Sequence, residues 1–78
     1  MMRLGIMESQ NIGRLLRDRR KFLQLRQRDL AELAGVTLRG LTNIENGRGN
    51  PTLKQLSKIA GILGLEVTLT RKPSNAAS

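Results

Sequence analysis

GVTLRGLTNIENG, residues 35–47, decides how this chain is built. Asn46-Gly47 is the commonest signal for a tight β-hairpin, but a hairpin needs alternating strands on both sides. Here the flanks are spaced as helices. On a wheel of about 100° per residue with Leu38 at zero, Arg39 falls at about 100°, Thr42 at about 40° and Asn43 at about 140°. Leu41 falls at about 300° and Ile44 at about 240°, with Glu45 beside Leu41 at about 340°. The apolar pair and the polar group therefore occupy opposite faces, with Gly40 between them. Thr37 suits an N-cap, and Asn46-Gly47 then reads as a left-handed helix stop. The stretch predicts a short helix over 38–46 with one packing face and one outer face.

Upstream, QRDLAELAG places Leu30, Ala31, Leu33 and Ala34 on one side and ends in Gly35, predicting a helix over 27–34. Before it, Ile12, Leu15, Leu16, Phe22 and Leu23 recur at helical spacing, which predicts a helix over 11–23 capped by Asn11 or Ser9. Arg19 interrupts that stripe and is expected to snorkel along its edge. Leu25 is expected to anchor the connection between the two helices.

Downstream, Pro51 breaks the chain and Thr52 and Gln55 have capping-box spacing. Leu53, Leu56, Ile59, Ala60 and Leu63 make an apolar face, so a helix is predicted over 52–63, closed by Gly64. Gly61 inside it costs roughly 1 kcal/mol against Ala, a cost that close packing would explain. LEVTLTRK then alternates Leu65, Val67 and Leu69 with Glu66, Thr68 and Thr70, the period of a strand. A lone strand leaves its backbone groups unpaired. Apart from RLGIM near the start no second strand is evident, so the same strand of a second subunit is the expected partner. Residues 1–10 read as a tail, 11–64 as the helical domain, 65–72 as a dimerisation strand and 73–78 as a disordered end.

Composition narrows the function. The chain of 78 residues has neither Cys nor His, which removes disulfides, thiol nucleophiles, Cys/His metal sites and imidazole acid–base chemistry. It also lacks a carboxylate cluster and a phosphate-cradling glycine run, so an enzyme, a cofactor and a metal site are not expected. No apolar run approaches the roughly 20 residues of a membrane span. MMRLGIMESQ has no sustained apolar block, so no secretory leader is expected and a soluble cytoplasmic protein is the default.

Fourteen Lys and Arg face six Asp and Glu, a net charge of +8. Seven of the basic residues fall between Arg14 and Arg28, opposed before Asp29 only by Asp18. Such a patch suits a polyanion through counterion release. Phe22 is the sole aromatic residue, and single-strand binders stack bases on aromatic rings, so duplex is favoured over single strand.

Two short helices joined by AGVT, the second with a polar outer face, make a helix-turn-helix. The expected architecture is all-α: a compact four-helix domain with a short C-terminal strand pairing across a dimer. RQRDLAELAGVTLRGLTNIENG followed by NPTLKQLSKIAGILG resembles the phage-repressor/Cro-like (XRE-type) family over residues 12–64. More narrowly, RDRRKFLQLRQRDLAELAGV together with LGLEVTLTRKP resembles antitoxins of HipA/HipB-type modules, which repress their own operon and bind a kinase-type toxin.

The resemblance implies roles for particular positions. Leu38, Arg39 and Asn43 sit where the family reads base edges, with Thr42 beside them. Gln27, Arg28, Thr37, Arg48 and Asn50 are implied phosphate contacts. Arg20 and Glu45 are the implied ion pair tying the first helix to the third. Leu38 and Gly40 depart from the polar and small residues usual there, leaving Leu38 to touch a thymine methyl or to pack inward. Asn43 has the alternative of bonding locally, and Arg39 that of a solvated charge.

The function expected is a sequence-specific duplex-DNA repressor on an inverted repeat, a homodimer, and the autoregulating antitoxin of a HipA-like kinase toxin. A free-standing regulator, a restriction–modification controller and a protein-interaction adaptor remain as alternatives.

Overall fold

The computed structural model describes residues 9–68. Four helices follow one another: α1 Ser9–Phe22, α2 Gln27–Ala34, α3 Leu38–Glu45 and α4 Leu53–Ile62. All four predicted helices are present, with ends displaced by at most two residues. α1 packs on α3, and α2 packs on both α3 and α4. Between them Leu30, Leu41, Ile59 and Leu63 are completely enclosed, with Leu16, Ala31, Ala34, Ile44 and Ala60 buried around them. Burying one such leucine or isoleucine contributes about 1.5–3 kcal/mol.

Each helix starts and stops for a local reason. Thr37 Oγ1 accepts from the Gly40 N–H at 2.9 Å, opening α3 as its sequence predicts. Thr52 and Gln55 cap α4 reciprocally, at 2.9 and 3.1 Å. Gly47, at φ +75°, closes α3: its N–H reaches Ile44 O at 3.0 Å and the Arg48 N–H reaches Asn43 O at 2.7 Å. This pair of bonds satisfies the last carbonyls of the helix, so Asn46-Gly47 is a helix stop and not a hairpin turn. The same closure ends α1 with a non-glycine residue, Gln24, at φ 61°.

α1 begins earlier than its apolar spacing suggests. Ser9 and Gln10 are already helical, so they do not belong to the tail and Asn11 lies inside the helix instead of capping it. A tight contact explains the extension: Gln10 packs on Gly47, and Gly13 lies against the backbone of Ile44 and Glu45. A Cβ at Gly13 would overlap both of those carbonyl oxygens.

Several expected core residues are not in the core. Phe22 is 72% exposed, because the line of α1 that meets α3 runs through Gly13 and Arg20 and leaves Phe22 on the far side. Leu33 is 60% exposed; the buried line of α2 is Leu30, Ala31 and Ala34. Leu23 lies just past α1 and is partly exposed. Leu53 is on the right face of α4 but borders an open apolar groove formed with Ile12, Leu15, Leu56, Leu65 and Val67, and is 56% exposed. Gly61 is exposed with nothing near its would-be Cβ, so close packing does not account for it.

Residues 65–68 form no strand in the single chain, but half-buried Leu65 and Val67 alternate with exposed Glu66 and Thr68. Leu65 packs against the core cluster. Leu69, the rest of the expected strand to residue 72, the end at 73–78 and residues 1–8 of the expected tail lie outside the described residues.

Candidate nucleic-acid interface

α3 presents the four expected base-reading side chains together. Leu38 is 46% exposed, which removes the inward-packing alternative. Arg39 is exposed and has no salt bridge among the described residues. Asn43 is half-buried, and among the described residues its amide has no hydrogen-bond partner, so its donors and acceptor are available. Thr42 is more constrained: its hydroxyl donates to Leu38 O at 2.9 Å, leaving a lone pair and a methyl to face a ligand.

The expected phosphate-gripping residues divide between two places. Thr37 and Asn50 line one shallow cleft with Asn43 and Gln55, at the α3 face. The Thr37 oxygen accepts from its own helix, so its proton remains for an anion. Arg48 and Asn50 are exposed on the segment after α3. Gln27 and Arg28 open α2. Arg28 is exposed, whereas the Gln27 amide turns inward and donates to Glu45 Oε1 at 3.0 Å. For an anion, that leaves Gln27 its second amide proton and its backbone N–H at the positive end of α2.

Beneath this surface lies the expected ion pair. Arg20 Nε meets Glu45 Oε2 at 2.7 Å and Arg20 Nη2 meets Glu45 Oε1 at 3.0 Å. Both residues are buried, at 7% and 3% exposure. Arg20 Nη1 donates to Leu25 O at 2.8 Å, so the pair also holds the connection from α1 to α2. Every polar group in it is satisfied, the condition under which a buried pair is tolerated. The pair fixes where α3 ends and where α2 begins, and hence how the outer face of α3 is aimed.

Four contacts escaped the sequence reading. Arg19 does more than snorkel: its Nε donates to Leu63 O at 2.9 Å, at the carbonyl end of α4 where a cation is favoured, and its guanidinium lies 5.2 Å from the Phe22 ring centre. The Gln27–Glu45 bond had no signal in spacing. Arg26 and Asp29 did, at i and i+3: the guanidinium donates to the carboxylate at 3.0 and 3.1 Å, and the Arg26 N–H donates to it at 3.1 Å. These hydrogen bonds hold the Asp29 carboxyl below its ordinary range and the Arg26 guanidinium above its own.

A short helix buried on its predecessor, joined by Gly35 and turned outward with polar side chains, defines a helix-turn-helix domain. The helix-turn-helix family profile matches residues 16–69, and the chain belongs to that family. A 10 kDa protein of the ImmF control region of Bacillus phage phi105 is 33% identical over 66 residues, covering 85% of this chain and 73% of its own length. The biofilm regulator SinR, solved in complex with DNA, superposes with a TM-score of 0.65 at 34% identity, over 70% of this chain and 89% of that one. The same unit also occurs in hydroxypropylphosphonic acid epoxidase from S. wedmorenis. There the TM-score is 0.68 and the identity 38%, over 76% of this chain but only 31% of the enzyme. No helix among the described residues is long and apolar enough to cross a membrane.

Proposed function

We propose that this chain is a double-stranded-DNA-binding transcriptional repressor that acts as a homodimer in the prokaryotic cytoplasm. The observation that carries the proposal is the outer face of α3, where Arg39 and Asn43 project without side-chain partners among the described residues from a helix anchored by the buried Arg20–Glu45 pair. Arg39 suits bidentate bonding to guanine and Asn43 to adenine, and Leu38 suits a thymine methyl. Thr42 accepts from a base or touches it with its methyl. Thr37, Gln27, Arg28, Arg48 and Asn50 hold phosphates and set the register. With Leu65, Val67 and Leu69 joining two copies, the two α3 helices enter successive major grooves about 34 Å apart, on an inverted repeat.

As to its setting, two features support an autoregulating antitoxin of a HipA/HipB-like operon: the arginine-rich α1 and the alternating segment from Leu65. The phage relative supports a free-standing regulator instead. Co-expression with the product of the adjacent reading frame separates them, since an antitoxin retains a kinase-type partner through purification and a free-standing regulator does not.

DNA binding is tested by gel shift on the region upstream of the chain's own reading frame. Binding should survive excess unrelated duplex and weaken in Arg39→Ala and Asn43→Ala. Binding without sequence preference that vanishes with modest salt would overturn the repressor reading, and no binding at all would leave the adaptor.

A further inference from the structure

The basic residues of α1 divide into two sets. Arg19 and Arg20 have internal work, one at the end of α4 and the other on Glu45. Arg14 and Lys21 are exposed and have no ion-pair or hydrogen-bond partner among the described residues. Arg17 is only loosely opposed, with Nε 3.9 Å from the exposed Asp18 carboxylate, an arrangement of little strength in water. At about 100° per residue, Gln10, Arg14, Arg17 and Lys21 fall within an arc of roughly 60°. That stripe adjoins the line through Gly13 and Arg20 that meets α3, and lies away from the apolar groove.

The packing of α1 sets this stripe beside the end of α3. Gln10 lies on Gly47, Gly13 on the Ile44 and Glu45 backbone, and a shallow polar recess is lined by Gln10, Arg14, Arg17, Glu45 and Asn46. The Glu45 carboxylate is taken by Arg20 and Gln27, so it does not neutralise the arginines at the recess.

We infer that Arg14, Arg17 and Lys21, assisted by Gln10, form a second duplex-contacting surface that grips the backbone phosphates along one wall of the groove α3 enters, an inference that rests on the duplex reading above. Packed helices lie about 8–10 Å apart and the major groove is about 12 Å wide. With α1 seated at the end of α3 beside Asn46 and Gly47, a groove that admits α3 brings its phosphate wall within reach of these side chains. Three cations in register there extend the footprint outward from the bases without reading them.

The test is a salt titration of binding by the full chain on two duplexes of equal length, one from its upstream region and one unrelated. Arg14→Gln/Arg17→Gln/Lys21→Gln should weaken both duplexes by the same factor, up to roughly eightfold per lost contact at 0.1 M salt. The slope of log affinity against log salt should become shallower by about 0.9 per lost contact. The ratio between the duplexes should not change, and hydroxyl-radical protection should shrink only at the outer edges of the site. Arg14→Gln/Lys21→Gln, which removes no ion pair or hydrogen bond among the described residues, should give part of the same change. An unaltered slope and footprint in the triple variant, with wild type still preferring its upstream duplex, would overturn this inference alone. A wild type with neither preference nor salt dependence would overturn the duplex reading itself.

Discussion

Arg20 of α1 and Glu45 of α3 meet through two parallel hydrogen bonds, 2.7 and 3.0 Å long, inside the domain. Removing one partner strands the other charge where water does not reach it. Glu45→Ala or Arg20→Ala should therefore destabilise the fold by about 3–5 kcal/mol, a large part of the stability of so small a domain. Urea unfolding followed by circular dichroism measures it. Glu45→Gln should cost less, since the Gln27 and Arg20 donors keep an acceptor. A loss below about 1 kcal/mol for Glu45→Ala would show that the pair does not anchor α3.

The outer face of α3 should behave in the opposite way. Arg39→Ala and Asn43→Ala remove side chains that have no hydrogen-bond or ion-pair partner among the described residues, so melting should move little while operator affinity falls. A good bidentate contact is worth about 1–3 kcal/mol against the wrong base, so each change should weaken upstream-duplex binding by roughly 5- to 150-fold and leave unrelated duplex nearly unaffected. Leu38→Ala should cost less, because a methyl contact is all it offers. Competition anisotropy on both duplexes reads these ratios, and equal losses on the two would show that Arg39 is a phosphate contact.

The four helices were legible because they depend on local signals: apolar period, caps, left-handed stops and helical angle. The Arg20–Glu45 pair joins residues far apart in sequence and was implied by the family resemblance, with which the place of Glu45 beside Leu41 on the wheel agrees. What was not legible depends on which neighbour arrives. Phe22 and Leu33 have the spacing of core residues, yet among the described residues no helix buries them, since the line of closest approach is set by Gly13 and by Leu30, Ala31 and Ala34. The family resemblance makes Gln27 a phosphate ligand at the start of α2, but its amide also completes the bonding of Glu45, 18 residues further along.

Two glycines and one left-handed glutamine make contrasting demands on the backbone. Gly61 is exposed with open space around it, so Gly61→Ala should stabilise the domain by about 1 kcal/mol. Gln24 occupies a left-handed conformation without being glycine, and Gln24→Gly should gain about 1 kcal/mol by relieving it. Gly13→Ala should instead cost about 1–3 kcal/mol, because its methyl would force α1 away from the carbonyls of Ile44 and Glu45. The three should be compared by urea midpoint at constant slope, and a neutral Gly13→Ala would mean that α1 shifts freely.

Acid should loosen the start of α2. Asp29 is held below its ordinary carboxyl range by Arg26, so its contribution is complete above the unfolded carboxyl range. That contribution falls away as pH drops through the depressed native value. Arg26 stays charged throughout, its own shift being upward. Because both side chains are exposed, the effect should be small and should weaken with salt. Asp29→Asn should flatten that part of the stability–pH curve, and an unchanged curve below pH 5 would show that the pair contributes nothing.

Val67 tests the assembly. Leu65 and Val67 are half-buried while Glu66 and Thr68 are exposed, the alternation a strand needs to bury one face against a partner. In one chain the backbone of residues 65–68 has no ladder, and a second copy would supply it. Val67→Glu places a charge on that face, so the chain should become monomeric by sedimentation while α1 to α4 keep their helical signal. Joining two half-site readers raises the effective concentration of the second, and dimer loss should weaken inverted-repeat binding by about 10²–10⁴ while leaving a single half-site nearly unaffected. Removing the segment outright is a poorer test, because Leu65 packs on the core and its loss confuses stability with assembly. A Val67→Glu chain that remains dimeric with full affinity would place the dimer contact elsewhere, and a wild type that is monomeric at binding concentrations would remove it.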